Sequence, residues 1–313
     1  MCAQFSRRGF LKTVTAAATA LPLQTLGGSA AEALSFEEDS TAPAKDTRIV
    51  DIHVHFEENN PNFIRDLLKV ADRMNLTACL LTPYSQRLQV AEAAKRYPRQ
   101  IVPFGFVDLD APDVLAQVKD FHTLGYRGLG ELEFVKKPYP DPSYQSVYEL
   151  ANQYGWVLMF HTGIVLRRNI DHPEDVASYR MRAFHLEEVA RRFPKLTVIG
   201  AHCGNPEYEW AAEVARWNPN IFFDLSGSTL TKMSARLDDF KKIFWWSGKG
   251  EWKTATPAND PSAYIKLVFG SDAGLDGIET VVNQYRAFFK ACDVPASTQQ
   301  MILGGTLAQI LRI

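Results

Sequence analysis

The sequence predicts an α/β chain closed into a (β/α)8 barrel. Three observations point there. From Arg48 onward, short runs of β-branched and aromatic residues alternate with amphipathic stretches at helical spacing. Such alternation builds a parallel sheet with helices on its outer faces. Eight such units fit between residue 48 and the end of the chain at residue 313, close to the roughly 250 residues typical of this barrel. An open, doubly wound sheet is the alternative, but no G-x-G-x-x-G follows the first strand.

The elements follow in order. Residues 49–56, with alternating apolar and polar side chains, form the first strand, and the apolar spacing of 63–75 makes the first helix. Strands are then expected at 77–82, 101–107, 127–134, 156–162, 197–201, 221–225 and 266–270. Between them fall helices at 86–97, 114–124, 144–154, 176–193, 207–217 and 237–246, and after the last strand 279–292 and 297–311. Pro98, Pro194 and Pro219 each stand shortly before a strand, where the missing N–H and the ring clash stop the preceding helix.

Charge and composition exclude several classes. The 34 basic and 36 acidic side chains give a net charge of −2, with no basic stripe, so nucleic acid is not expected as a partner. No apolar run reaches the ~20 residues of a membrane span, which predicts a mature form outside the bilayer. Cys2, Cys79, Cys203 and Cys292 are widely spaced, without a C-x-x-C pair, and do not read as a disulfide framework; Cys79 and Cys203 are expected as buried thiols.

The N-terminus, Ser6-Arg7-Arg8-Gly9-Phe10-Leu11-Lys12 followed by an Ala/Thr/Leu-rich stretch and Ser29-Ala30-Ala31, has the parts of a secretory signal. Its paired arginines resemble the bacterial twin-arginine motif. The organisation that follows is a signal at 1–33, a leader at 34–47 and the barrel at 48–313. The resemblance implies the twin-arginine translocation machinery as a partner and a periplasmic location. It also suggests a cofactor loaded before export.

Four of the seven histidines stand at the C-terminal ends of predicted strands, where a barrel of this kind builds its site. Strand one carries Asp51, His53 and His55 at alternate positions, a spacing that puts them on one face and makes the two imidazoles a ready ligand pair for Zn²⁺ or a similar ion. Strand five ends in His161, strand six in Gly200-Ala201-His202 and strand eight in Gly270-Ser271-Asp272. Gly200 and Gly270 are expected to leave room beneath His202 and Asp272, and Asp51 to orient imidazole N–H groups. Convergence of these residues on one mouth points to a metal site.

These segments resemble the amidohydrolase superfamily, in its amidohydrolase-2 (aminocarboxymuconate-semialdehyde decarboxylase-like) branch. The resemblance spans nearly all of 49–313. It is carried by Val50-Asp51-Ile52-His53-Val54-His55, by the stretches from Phe193 to Gly204, from Asn218 to Gly227 and from Leu267 to Asp272, and by Ile302-Leu303-Gly304-Gly305-Thr306, with Thr306 where Asn is common. It implies a TIM barrel of the metal-dependent hydrolase type. By that resemblance His53, His55, His161 and Asp272 would hold the metal, and His202 would be a nearby acid/base or substrate-polarising histidine. Asp272 would also take a proton from water.

Glu131 and Glu133 share a face of strand four. If Glu131 bridged two ions, His161 and His202 would both ligate the second; otherwise Glu131 stands beside one metal. One divalent ion, zinc first, is expected rather than two. Arg167 and Arg168, at the barrel mouth, are candidates for a substrate carboxylate, with exposed loop charges as the plainer reading; His172 shares that loop. His122 and His185 are expected to pack or face solvent, and Trp245, Trp246 and Trp252 flank a Gly/Lys loop. The expected function is a metal-dependent hydrolase acting on a C–N or C–O bond (amide, lactone or ester) of a small polar substrate. The alternative is non-oxidative decarboxylation of an unsaturated or aromatic acid. A homodimer is compatible with the resemblance, but no sequence feature requires one.

Overall fold

The computed structural model describes residues 48–165, 177–246 and 261–313. The expected signal and leader, together with Arg167, Arg168, His172 and Trp252, lie outside the described residues. No helix among the described residues is long and apolar enough to cross a membrane.

Seven parallel strands lie side by side in chain order: β1 (Ile49–His55), β2 (Leu76–Pro83), β3 (Ile101–Phe106), β4 (Gly128–Leu132), β5 (Val157–Phe160), β6 (Thr197–Gly200) and β7 (Ile221–Phe223). The helices α1 (Phe63–Met74), α2 (Arg87–Arg96), α3 (Val114–Thr123), α4 (Gln145–Tyr154), α5 (His185–Arg192) and α6 (Tyr208–Trp217) connect them. Beyond β7 come α7 (Ser228–Ser234), which the pattern did not announce, α8 (Leu237–Ile243) and α9 (Ile278–Ala291). The terminal helical region is broken into α10 (Ala296–Gln300), a π-turn (Met301–Gly305) and α11 (Thr306–Leu311).

The eighth strand expected at 266–270 is not regular. Pro261–Lys266 forms a 3-10 helix, and Leu267 makes a single parallel bridge to Phe223. The ring is nevertheless closed, because Val268 N–H donates to Phe223 O at 2.9 Å and Ile52 N–H donates to Phe269 O at 3.1 Å. The 3-10 helix runs through Lys266, the first residue of the expected strand, so pairing begins only at Leu267.

Alternation divides the apolar residues into two layers. Val50, Ile52, Cys79, Leu81, Met159 and Ile199 belong to an interior cluster that Leu307 and Leu311 of α11 join. Ile49, Val54, Ala78, Leu80, Leu129 and Leu158 belong to the outer cluster, packed against the helices. Each fully buried aliphatic side chain contributes roughly 1.5–3 kcal/mol, so both layers define the ring. Two breaks in this alternation decide where the polar side chains go. On β1, Asp51 is in register with Ala78 but Val54 with Leu80. On β4, Leu129 is in register with Leu158 but Leu132 with Phe160. Each is a bulge carrying one extra residue, which resets the side-chain period.

Candidate metal centre

The β1 bulge corrects the expectation that Asp51, His53 and His55 share a face. Asp51 is in register with outward-facing Ala78, while the extra residue lets His53 and His55 reach one mouth. Asp51, fully buried, does not touch an imidazole. Its Oδ1 accepts the backbone N–H groups of His53 at 3.0 Å and Ser271 at 2.9 Å, joining β1 to the closing segment. Burial pushes its carboxyl above the ordinary range.

The remaining predicted residues converge. His53 Nε2 lies 3.1 Å from His55 Nε2, 3.2 Å from Glu131 Oε2 and 3.6 Å from Asp272 Oδ1. His55 Nε2 lies 3.6 Å from Glu131 Oε2 and 3.7 Å from Asp272 Oδ1. On the far side of the same carboxylate, Glu131 Oε1 lies 2.9 Å from His161 Nδ1 and 3.3 Å from His202 Nε2. Two candidate ligand triads result, one of His53, His55 and Asp272 and one of Glu131, His161 and His202. Glu131, 3% exposed, is the wedge between them, one oxygen toward each. Its position follows from the β4 bulge, which turns it away from the outward row of Leu129 and Leu132.

The charges follow the geometry. Burial alone would raise Glu131, yet the charge of His53 and hydrogen bonds from His161, His202 and His53 hold it well below the usual carboxylate range. Burial alone would lower His53, but Glu131 and Asp224 hold it well above its ordinary value. His202 is raised in the same way, against its burial, by Glu131 and Asp224. Carboxylate oxygens and imidazole nitrogens crowded at 3.1–3.7 Å need protons or cations between them. An N/O donor set of histidines and carboxylates is also the kind that divalent Zn²⁺ or Mn²⁺ takes. The residues therefore fit a divalent metal.

Two side chains of this centre carried no role in the sequence reading. Asp224 and Ser226, at the C-terminal end of β7, are 0% and 1% exposed. Asp224 Oδ2 lies 3.0 Å from His53 Nδ1, and its Oδ1 accepts the backbone N–H of His202 at 2.8 Å and of Ser226 at 3.0 Å. The signal available was positional: two polar residues two apart at a strand's C-terminal end. Gly270 gives a second clue, differently from expectation. A Cβ there would stand 2.3 Å from Asp224 Oδ2, so Gly270 makes room for Asp224 rather than Asp272. A Cβ on Gly200 would strike Phe223 and Leu186, in the outer layer. It leaves no space beneath His202, whose own φ of +62° breaks the strand pattern.

Cys79, Cys203 and Cys292 are buried free thiols. His122 stacks on Tyr154 with ring centroids 3.6 Å apart, and His185 opens α5 at the surface. Trp245 and Trp246 pack against the outer core.

A family model for amidohydrolases matches residues 78–313. The chain belongs to the amidohydrolase family. No curated relative matches it by sequence. Among solved structures, this amidohydrolase is similar to an uncharacterised TIM-barrel protein of Bordetella bronchiseptica (TM-score 0.61, 16% identity, 85% of this chain and 98% of that one). It is also similar to a dihydroxybenzoic acid decarboxylase of Polaromonas bound to manganese and 2-nitroresorcinol (TM-score 0.54, 13% identity, 85% and 97%). A third is a probable 2-pyrone-4,6-dicarboxylic acid hydrolase of Acinetobacter baumannii with citric acid bound (TM-score 0.53, 13% identity, 85% and 100%). At these identities the likeness shows the TIM-barrel fold.

Proposed function

We propose that this amidohydrolase is a metal-dependent hydrolase that directs water at a C–N or C–O bond, amide, lactone or ester, of a small polar substrate. Its location would be the periplasm, reached through the twin-arginine system, and its metal zinc. The observation that carries the reading is Glu131, one carboxylate with an oxygen on each of two ligand triads. His53, His55 and Asp272 would hold one ion with Glu131 Oε2. His161 and His202 would hold a second with Oε1. The sequence led us to expect a single ion with Glu131 beside it; the wedge position supports two.

When bound, a divalent ion supplies Lewis acidity and acidifies water from about 15.7 toward about 7. Asp272 sets Oδ1 against His53 and His55, and its side chain is 30% exposed at the mouth. Its second oxygen would accept the proton of the attacking water and return it to the leaving nitrogen or oxygen. Were one ion held, His202 would stay off it and would give that proton instead.

Metal content per chain, measured by elemental analysis on signal-processed protein purified without chelators, is the first test. Two ions support the Glu131-centred hydrolase, one frees His202 for acid/base work, and none after reconstitution removes the reading. Decarboxylation is the second reading, because a neighbour of this fold is a decarboxylase. Decarboxylation would call for carboxylate-binding arginines facing the metal, and the sequence offers Arg167 and Arg168 as the candidates, so the hydrolase is ranked first. Release of CO2 from hydroxybenzoic acids, with no turnover of a lactone, ester and amide panel, would reverse the ranking.

A further inference from the structure

The turn after β7 holds one histidine of each triad by its outer nitrogen. His53 Nδ1 lies 3.0 Å from Asp224 Oδ2. Ser226 Oγ–H donates to Asp224 Oδ1 at 2.6 Å, and the same Oγ lies 2.9 Å from His202 Nδ1. A hydroxyl has one proton, and the carboxylate is the stronger acceptor, so Ser226 Oγ is left to accept from His202. Asp224 can accept only. Both imidazoles must therefore keep their proton on Nδ1. The turn also pins the backbone of His202. Thr229 Oγ1–H donates to His202 O at 2.7 Å, and Gly227, at φ +62°, keeps a Cβ from standing 3.1 Å from His202 Nδ1.

We propose that Asp224 and Ser226 are positioning residues that hold a proton on Nδ1 of His53 and His202, so that Nε2 is the nitrogen each frees toward its own triad. Asp224 sets His53 directly, and it sets His202 through Ser226. One buried carboxylate thus prepares a ligand on either side of Glu131. The effect on metal affinity rests on the metal-dependent reading above; the proton positions do not.

Two variants separate the arms. In Asp224→Asn the Oδ1 position still faces three donors, from His202 N, Ser226 N and Ser226 Oγ, so the oxygen stays there and the new amide N–H₂ faces His53 Nδ1. Imidazole ¹⁵N spectra of the full mature chain should then show the His53 proton moved to Nε2. Zinc titration against a chelator should show one ion weakened about 10–100-fold, the scale for losing a partner of a ligating histidine. Ser226→Ala should release the Nδ1–H preference of His202 and weaken the other ion, while His53 loses a 3.3 Å contact to the same hydroxyl but keeps Asp224 Oδ2 at 3.0 Å. Wild-type proton positions and zinc affinities in both variants would overturn the proposal. If Asp224→Asn fails to fold, Ser226→Ala, which deletes one hydroxyl, still decides: an unchanged His202 overturns it. If the wild-type chain takes up no zinc, the metal reading falls. Spectra of the metal-free chain then decide between a protonated Nδ1 on both rings, as proposed, and a bare Nδ1 on either, which overturns it.

Discussion

Glu131→Gln puts the wedge itself to the test. The substitution keeps the shape of a side chain that is 3% exposed but replaces one oxygen by N–H₂ and removes one negative charge. His53 Nε2 at 3.2 Å and His202 Nε2 at 3.3 Å lose the charge that faces them. At an effective dielectric of about 20, a unit pair at that separation is worth about 5 kcal/mol before desolvation. Neither histidine has to stay charged, and each lowers its cost by releasing a proton. For a metal the loss is larger than that of an outer partner, about 10–100-fold in affinity, or roughly 1.4–2.7 kcal/mol, and it falls on both triads because both use the same carboxylate. Elemental analysis after dialysis against graded chelator should show the wild-type chain retaining its ions where Glu131→Gln has lost at least one, with circular dichroism unchanged. Wild-type stoichiometry and affinity in the Glu131→Gln chain would refute the shared-carboxylate argument.

Further outcomes are expected. Asp272→Asn should lower turnover about 10²–10⁴-fold, the range for removing a general base, while the chain still folds; near wild-type turnover would place the proton acceptor elsewhere. Gly270→Ala puts a Cβ 2.3 Å from Asp224 Oδ2, and overpacking of this kind typically costs about 1–3 kcal/mol, so urea denaturation should show a lower midpoint together with weaker metal retention. Zinc binding near pH 7 should release protons, because His53 and His202 are held above their ordinary values without metal and must shed a proton to ligate. Calorimetry in two buffers of different ionisation enthalpy reads this, and identical heats would contradict it. Lys266, 7% exposed, donates to the carbonyls of Asn218, Pro219 and Ile221, and burial pushes it down to about 7. The unfolded side chain titrates near 10.4, so between these values the unfolded chain binds a proton that the folded chain lacks. Stability should rise with pH by at most ~1.4 kcal/mol per unit, the three carbonyls reducing that slope, and Lys266→Met should flatten it relative to wild type.

Much of this was legible in the residues. His53, His55, His161, His202 and Asp272 were visible as ligand-type side chains at strand ends and Glu131 within strand four, and most helices from Phe63–Met74 to Tyr208–Trp217 lie close to where apolar spacing put them. The helix expected at 176–193 is instead a 3-10 turn at Ser178–Met181 followed by α5 from His185, because Ala177 and Arg182 are extended at the two ends of that turn. The errors share a cause. A bulge depends on the register of the neighbouring strand, so the extra residue that separates Asp51 from His53 has no mark in β1 itself. The irregular eighth strand has a run as apolar as the others, and nothing in that run marks the 3-10 helix that takes up its first residue. Asp224 meets His53 across 171 positions of sequence, because barrel closure brings β7 and the closing segment beside β1. No local pattern around either residue contains that contact, although Gly270, which exists to clear it, was in plain view.

The interior packing under the site has a consequence for traffic. Leu307 and Leu311 close the lower end of the ring, and the layer of Val50, Leu81, Met159 and Ile199 fills the space above them. The centre is therefore the bottom of a cul-de-sac. Among the described residues the interior below the centre is filled, so water, substrate and product reach and leave it from the strands' C-terminal ends. Each product that binds the centre should compete with substrate for the free enzyme, and turnover will be set by how quickly the mouth is vacated whenever chemistry is faster than departure.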